Sequence, residues 1–205
     1  MSGRRAIAGL AALSMIALGG AAAIGRSEPA APVGLQTPEA FAAISNKRER
    51  SLALFAEAGK VIQHPRCLNC HPATDRPTQG MAMTPHQPWV VRGKDGHGAP
   101  GLKCQTCHQV TNVDSAGVPG HPEWHLAPAE MAWQGKSLGD ICRQLKDRRR
   151  NGGKTMPQMI EHMATDSLVG WGWEPGAGRQ PAPGTQAQFG ALFEAWAKSG
   201  AYCPA

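Results

Sequence analysis

Two pentapeptides carry residue types at a spacing that specifies chemistry: Cys67-Leu68-Asn69-Cys70-His71 and, 37 positions on, Cys104-Gln105-Thr106-Cys107-His108. Each reads C-x-x-C-H, the pattern of covalent c-type haem attachment. The two thiols add across the two vinyl groups of a porphyrin, and the adjacent histidine supplies the proximal nitrogen to iron. Two residues between the cysteines let both sulfurs reach one macrocycle edge while the histidine turns back beneath the ring. A second copy makes coincidence a poor account. The six attachment residues are therefore Cys67, Cys70, His71, Cys104, Cys107 and His108, with His71 and His108 as proximal ligands to two haem irons.

Paired C-x-x-C is also zinc-ribbon grammar. Against that reading stand the histidine after each pair, an export-type leader, and the 33 residues between Cys70 and Cys104. A thioredoxin-like redox pair would sit in a βαβ pattern, and none surrounds either pair.

Electron-transfer haems usually carry a Met or His opposite the proximal imidazole. Six histidines lie outside the motifs: His64, His86, His97, His121, His125 and His162. His86, held between Pro85 and Pro88, and His125, flanked by Trp124 and Leu126, are the first candidates for distal ligands. His162, beside Met159 and Met163, and then Met131 follow. His97 sits between two glycines, a poor place to fix a ligand. Trp89, Trp124, Trp133, Trp171 and Trp173 are candidates to line the haems, although ordinary packing would account for them equally well.

Around these residues the chain divides into helical ends and an irregular middle. Thr37-Pro38-Glu39 has an N-cap residue followed by proline, and predicts one or two helices over 38–63. The charged run Asn46-Lys47-Arg48-Glu49-Arg50 reads as a solvated face. From 64 to 135, Gly and Pro recur every few residues and no helical or alternating pattern outlasts about one turn. Further on, Ser137 opens a helix bearing Ile141, Cys142 and Leu145, with Asn151-Gly152 as its stop. Thr155 with Gln158, and Thr185 with Gln188, are T-x-x-Q capping boxes for two more helices. A Gly/Pro-rich loop is expected over 167–184. The fold class read here is mainly α, with a large irregular haem-wrapping region and little or no sheet.

Residues 1–24 carry Arg4-Arg5, then an apolar run from Ala6 to Ile24, and read as a secretory signal or an uncleaved N-terminal anchor. Residues 25–36 read as a flexible linker, and 37–205 as a single dihaem domain. Motifs 37 residues apart leave no room for two separate small cytochrome domains. With 25 Gly, 17 Pro and only 5% aromatic residues, the chain is short of large apolar side chains, a lack that two buried porphyrins would offset. Two cysteines remain, Cys142 and Cys203; in an exported, periplasmic protein this even remainder points to a disulfide. The formal net charge is +6, yet no basic stripe or nucleic-acid motif appears. The cluster Lys146, Arg148, Arg149, Arg150 and Lys154 lies where a helix C-terminus favours cations.

The sequence resembles the small exported dihaem cytochromes labelled isoquinoline 1-oxidoreductase subunit. The likeness covers about residues 36–204. It is carried by His64-Pro65-Arg66-Cys67, Ala99-Pro100-Gly101, Trp124-His125-Leu126-Ala127-Pro128, Met131-Ala132-Trp133-Gln134-Gly135, Val169-Gly170-Trp171-Gly172-Trp173 and Tyr202-Cys203-Pro204. The resemblance implies haem at both motifs and a role accepting electrons from a molybdenum hydroxylase for the respiratory chain; the redox partner expected is that enzyme or a membrane oxidase. Two functions follow: an electron carrier with both irons six-coordinate, or a small peroxidase-like haem enzyme with one open iron position. The supply of distal His and Met favours the carrier.

Overall fold

Asn46 decides where the first long helix begins. Its side-chain oxygen accepts from the N–H groups of Arg48 and Glu49, satisfying two of the donors that a helix start leaves free. The structure, a computed structural model, describes residues 34–205. The leader and most of the expected linker lie outside the described residues. Of the linker's last residues, Leu35 is buried in the core and the Gln36 N–H donates to Glu57, so this end is packed.

Helix α1 is Lys47–Ile62, preceded by a separate 3₁₀ turn at Pro38–Phe41, so the stretch 38–63 holds two helical elements. It buries Leu54, Phe55, Ala58, Val61 and Ile62. The short helix α2, Pro65–Leu68, follows at once. After the irregular middle come α3 (Leu138–Lys146), α4 (Met156–Thr165), α5 (Ser167–Gly170) and α6 (Gln186–Lys198). Both capping boxes form as the sequence predicts: Thr155 with Gln158 opens α4, and Thr185 with Gln188 opens α6.

The core lies where α6 packs on α1 and α4. Phe189, Leu192, Phe193 and Trp196 of α6 are buried, and Trp196 meets Phe55 of α1 at 4.7 Å between ring centres. Gly190 lets α6 approach α4: a Cβ there would lie 2.5 Å from the Ala164 Cβ. Cys142 of α3 is joined to Cys203 with 5.5 Å between Cα atoms, as the even cysteine remainder predicts.

Two expected boundaries move. Helix α3 ends at Lys146, before Asn151; the Asn151 amide instead donates back to the Leu145 carbonyl at 2.8 Å, closing the helix end from outside. The expected loop over 167–184 starts with the helical turn α5, because the Asp166 carboxylate accepts from the Leu168 and Val169 N–H groups.

Between α2 and α3 the chain is mainly turns. Its only strands among the described residues are two antiparallel hairpins, Thr78–Gln79 with Thr84–Pro85 and Gly98–Ala99 with Leu102–Lys103. The molecule is mainly α with little sheet. Arg92, 5% exposed, braces this stretch from inside. Its guanidinium donates to the carbonyls of Ala127, Thr74 and Pro72, while its own N–H donates to Asp75 and its carbonyl accepts from Gly98. Arg92→Ala should orphan these buried carbonyls and cost about 2–4 kcal/mol. The check is a lower urea midpoint at unchanged slope, with Arg92→Lys restoring only part because an ammonium lacks the planar fork.

Candidate functional site

The first motif is built on a capped helical turn. The His64 ring accepts from the Arg66 N–H, Pro65 takes the first helical position, and the turn runs on to a bond from the His71 N–H to the Cys67 carbonyl. Cys67 and Cys70, three residues apart on a helical turn, thus share one face. Segment 130–134 wraps the histidine. The His71 Nδ1–H donates to the Met131 carbonyl at 2.7 Å, and the His71 carbonyl accepts from the N–H groups of Trp133 and Gln134. The Trp133 ring stacks on the His71 ring at 3.5 Å and 7°. Behind it, the buried Gln144 of α3 donates to the carbonyls of Glu130 and Ala132, on either side of Met131. The helical core therefore positions His71 through one side chain and one carbonyl.

The second motif repeats the logic on a looser frame. Cys104–Thr106 is a 3₁₀ turn, and the His108 N–H closes onto the Cys104 carbonyl. The His108 Nδ1–H donates to the Pro119 carbonyl at 2.7 Å, and Trp124 stacks on the ring at 4.6 Å and 16°. Asn112 ties the layer together: its side-chain oxygen accepts from the Gly120 N–H and from the Trp171 indole, whose ring stands edge-on to Trp124. A Cβ on Gly120 would lie 2.1 Å from the Thr111 carbonyl oxygen, which cannot yield without moving the loop. Gly120→Ala should therefore shift the neighbouring Pro119 carbonyl off His108. We expect a lower haem-to-protein ratio at the second motif, read from intact mass, with the first motif unaffected.

A neutral imidazole has one N–H and one lone pair. A carbonyl can only accept, so both motif histidines carry their proton on Nδ1 and leave Nε2 as a free donor atom for a metal. Burial holds them neutral: His71 is pushed down to about 4, with His162 and Arg92 adding to the effect, and His108 is also lowered. The thiols are pushed the other way, Cys67 to about 12 by burial and by Cys70, and Cys70 to about 11 by burial against the nearby Arg66. Cys104 is close enough to add to the rise at Cys70. The two motifs also meet through backbone bonds, Ala127 N–H to Cys70 and Leu126 N–H to Gly96, whose carbonyl lies 3.8 Å from the Cys104 sulfur. All four motif cysteines are unpaired; the first three are half-buried and Cys107 is exposed.

These donors fit c-type haem: two thiols on one turn, and an imidazole with Nε2 unused, at each motif. Among the described residues no three His, Cys, Asp or Glu side chains stand together as a bare-ion site.

The other predicted residues fall as follows. His86 lies with its ring centre 5.9 Å from that of His108. His162 lies on α4, its Nδ1 3.1 Å from Asp166 Oδ2, near enough to His71 to disfavour its protonation. His125 packs against His97 at 4.9 Å. The Met131 side chain is in the core, and its carbonyl is the part that serves His71. Of the tryptophans, Trp133 and Trp124 meet the motif imidazoles and Trp171 backs Trp124. Trp89 is 66% exposed beneath Arg76, and Trp173 packs on Phe189. Arg92, Gln144 and the carbonyls of Met131 and Pro119 carry no sequence signal, since a carbonyl is common to every residue and a buried Arg or Gln looks like a surface one. The chain matches no protein-family model, no curated protein and no solved structure, so its function is read from this geometry.

Proposed function

We propose that this chain is an exported dihaem c-type cytochrome that relays electrons. The observation that carries the reading is the repeated arrangement at His71 and His108, each with Nδ1–H on a backbone carbonyl and Nε2 free beside a pair of unpaired cysteines. Each bound haem would supply a one-electron couple at its iron. The chain's own residues would do the rest. The cysteines would hold the two rings by thioether bonds, while the Met131 and Pro119 carbonyls set the imidazole planes and Trp133 and Trp124 cover the imidazole faces. The backbone bonds from Ala127 to Cys70 and from Leu126 to Gly96, whose carbonyl lies beside the Cys104 sulfur, would keep the two groups within one fold, as electron passage between them requires.

Two features support the wider setting. The Cys142–Cys203 bridge suits an oxidising compartment such as the periplasm. The exposed Cys107 puts the second motif nearest to solvent, the side where a redox partner would exchange electrons. On the resemblance, that partner is a molybdenum hydroxylase, with a membrane oxidase as the alternative. An intact mass of the protein recovered from the export compartment tests the reading: two haem masses above the polypeptide are expected. Zinc without haem would overturn it.

A further inference from the structure

The formal charge of the whole chain is +6. Arg4, Arg5 and Arg26, against Glu28, lie outside the described residues. Lys146, Arg148, Arg149, Arg150 and Lys154, against Asp147, account for all the charge that remains; over the rest of 34–205 the charges cancel. The excess is therefore focused on one turn. A helix C-terminus explains Arg143 and Lys146, which lie in the last turn of α3. It does not explain Arg148, Arg149 and Arg150, which follow the helix end.

The turn is held in shape. The buried Asn151 amide donates to the Leu145 and Lys154 carbonyls. Arg148 and Gly153 exchange a reciprocal pair, the Gly153 N–H donating to the Arg148 carbonyl and the Arg148 Nε–H to the Gly153 carbonyl. Of the five cations only Arg149 meets a carboxylate among the described residues, that of Asp147 at 3.5 Å.

The chain end lies beside this turn. Lys146 donates to the Ala201 carbonyl at 2.6 Å, and Arg143, which also pairs with Asp140, donates to the Pro204 carbonyl at 3.2 Å. Between those carbonyls stands Tyr202, 39% exposed. Its ring lies against Gly200, with the Arg48 guanidinium of α1 over it at 5.4 Å. Its backbone is tied at both ends, the N–H to Ser51 and the carbonyl to the Trp196 indole, and Cys203 next to it is bridged to α3. A fixed tyrosine ringed by Arg48, Arg143 and Lys146 thus continues into the triple-arginine turn. Tyrosine and arginine concentrate at the energetic centres of protein interfaces, and an arginine fork matches a carboxylate. A lipid surface would instead require apolar side chains free to insert. Among the described residues no other large apolar side chain is exposed along α3 or the turn, and the Tyr202 ring is held between its neighbours.

We propose that Tyr202 and the basic turn Lys146–Lys154 form a docking face for the acidic surface of a second protein. The proposal stands apart from the dihaem reading, since it uses none of the motif residues.

The experiment places the photo-crosslinker p-benzoylphenylalanine at Arg149 of the full chain, in its own host, and irradiates the export compartment at low salt. One protein should be captured, through a peptide rich in Asp and Glu. The yield should fall roughly tenfold in Arg148→Glu with Arg150→Glu, and in Tyr202→Ala. It should hold in Lys94→Glu with Lys136→Glu, which makes the same change in net charge elsewhere. Irradiation at about 0.5 M salt should lower the yield as the charge reversal does, with no further substitution, so a variant that fails to accumulate leaves the test standing. Adducts to phospholipid alone, to many proteins alike or to nothing would overturn the proposal. So would a yield indifferent to salt, to the arginine reversal or to Tyr202→Ala, or an equal loss in the Lys94 and Lys136 control.

Discussion

Replacing Cys67 and Cys70 together with alanine is expected to remove one haem from the mass and most of the folded protein with it. The matching change at Cys104 and Cys107 should remove one haem and leave the helical core standing. The reason is where each motif is rooted. Cys67 packs against the main core, Leu68 beside it is 8% exposed, and His71 is tied to segment 130–134, which Gln144 holds onto α3. Loosening a haem there frees Trp133, itself 4% exposed, and unlinks α2 from α3. The second motif touches the core only indirectly, through Trp124, Trp171 and Asn112. Intact mass counts the haems, and helical circular dichroism on heating reads the fold. We expect the second variant to keep a cooperative helical melt within a few degrees of the wild type and the first to yield little soluble protein. Equal losses from the two variants would sink this account of the core.

What the sequence makes legible follows from how local each cause is. The starts of α3, α4 and α6 are set by Ser137, Thr155 and Thr185 within three residues of the bonds they make, so the sequence locates them directly. Asn46 is equally local, yet it hides at the head of a charged run that resembles a solvated face. The Gly/Pro-rich belt declares its irregularity but not its brace, because Arg92 acts across 35 residues to reach Ala127. The site divides the same way. Spacing alone marks the six residues proposed to attach haem, whereas the carbonyls that orient His71 and His108 come from 60 and 11 residues away. Sequence context also ranks His125 ahead of His162 as a ligand, since flanking Trp and Leu suit a haem wall. The fold sets His125 against His97 and orients both rings through Nδ1, His125 on the Glu123 carbonyl and His162 on Asp166 one helical turn further on, neither of which flanking residues announce.

Breaking the Cys142–Cys203 bridge with Cys142→Ser and Cys203→Ser should cost about 4 kcal/mol, because it releases a closed loop with a sequence separation of 61 residues. For a chain of this size that corresponds to a fall in melting temperature of roughly 8–16 °C. The native contacts around the bridge do not depend on it. Trp196 donates to the Tyr202 carbonyl, the Tyr202 N–H donates to Ser51, and Lys146 and Arg143 reach the Ala201 and Pro204 carbonyls. Ile141 and Leu145 are fully buried and keep α3 seated, so Gln144 stays in place behind Met131 and His71. The loss should therefore show in the melting curve of the haem-loaded protein and not in its spectrum at room temperature. Were the double serine variant to change the spin state of the haem on His71, the bridge would be holding the site itself and not only restraining the unfolded chain.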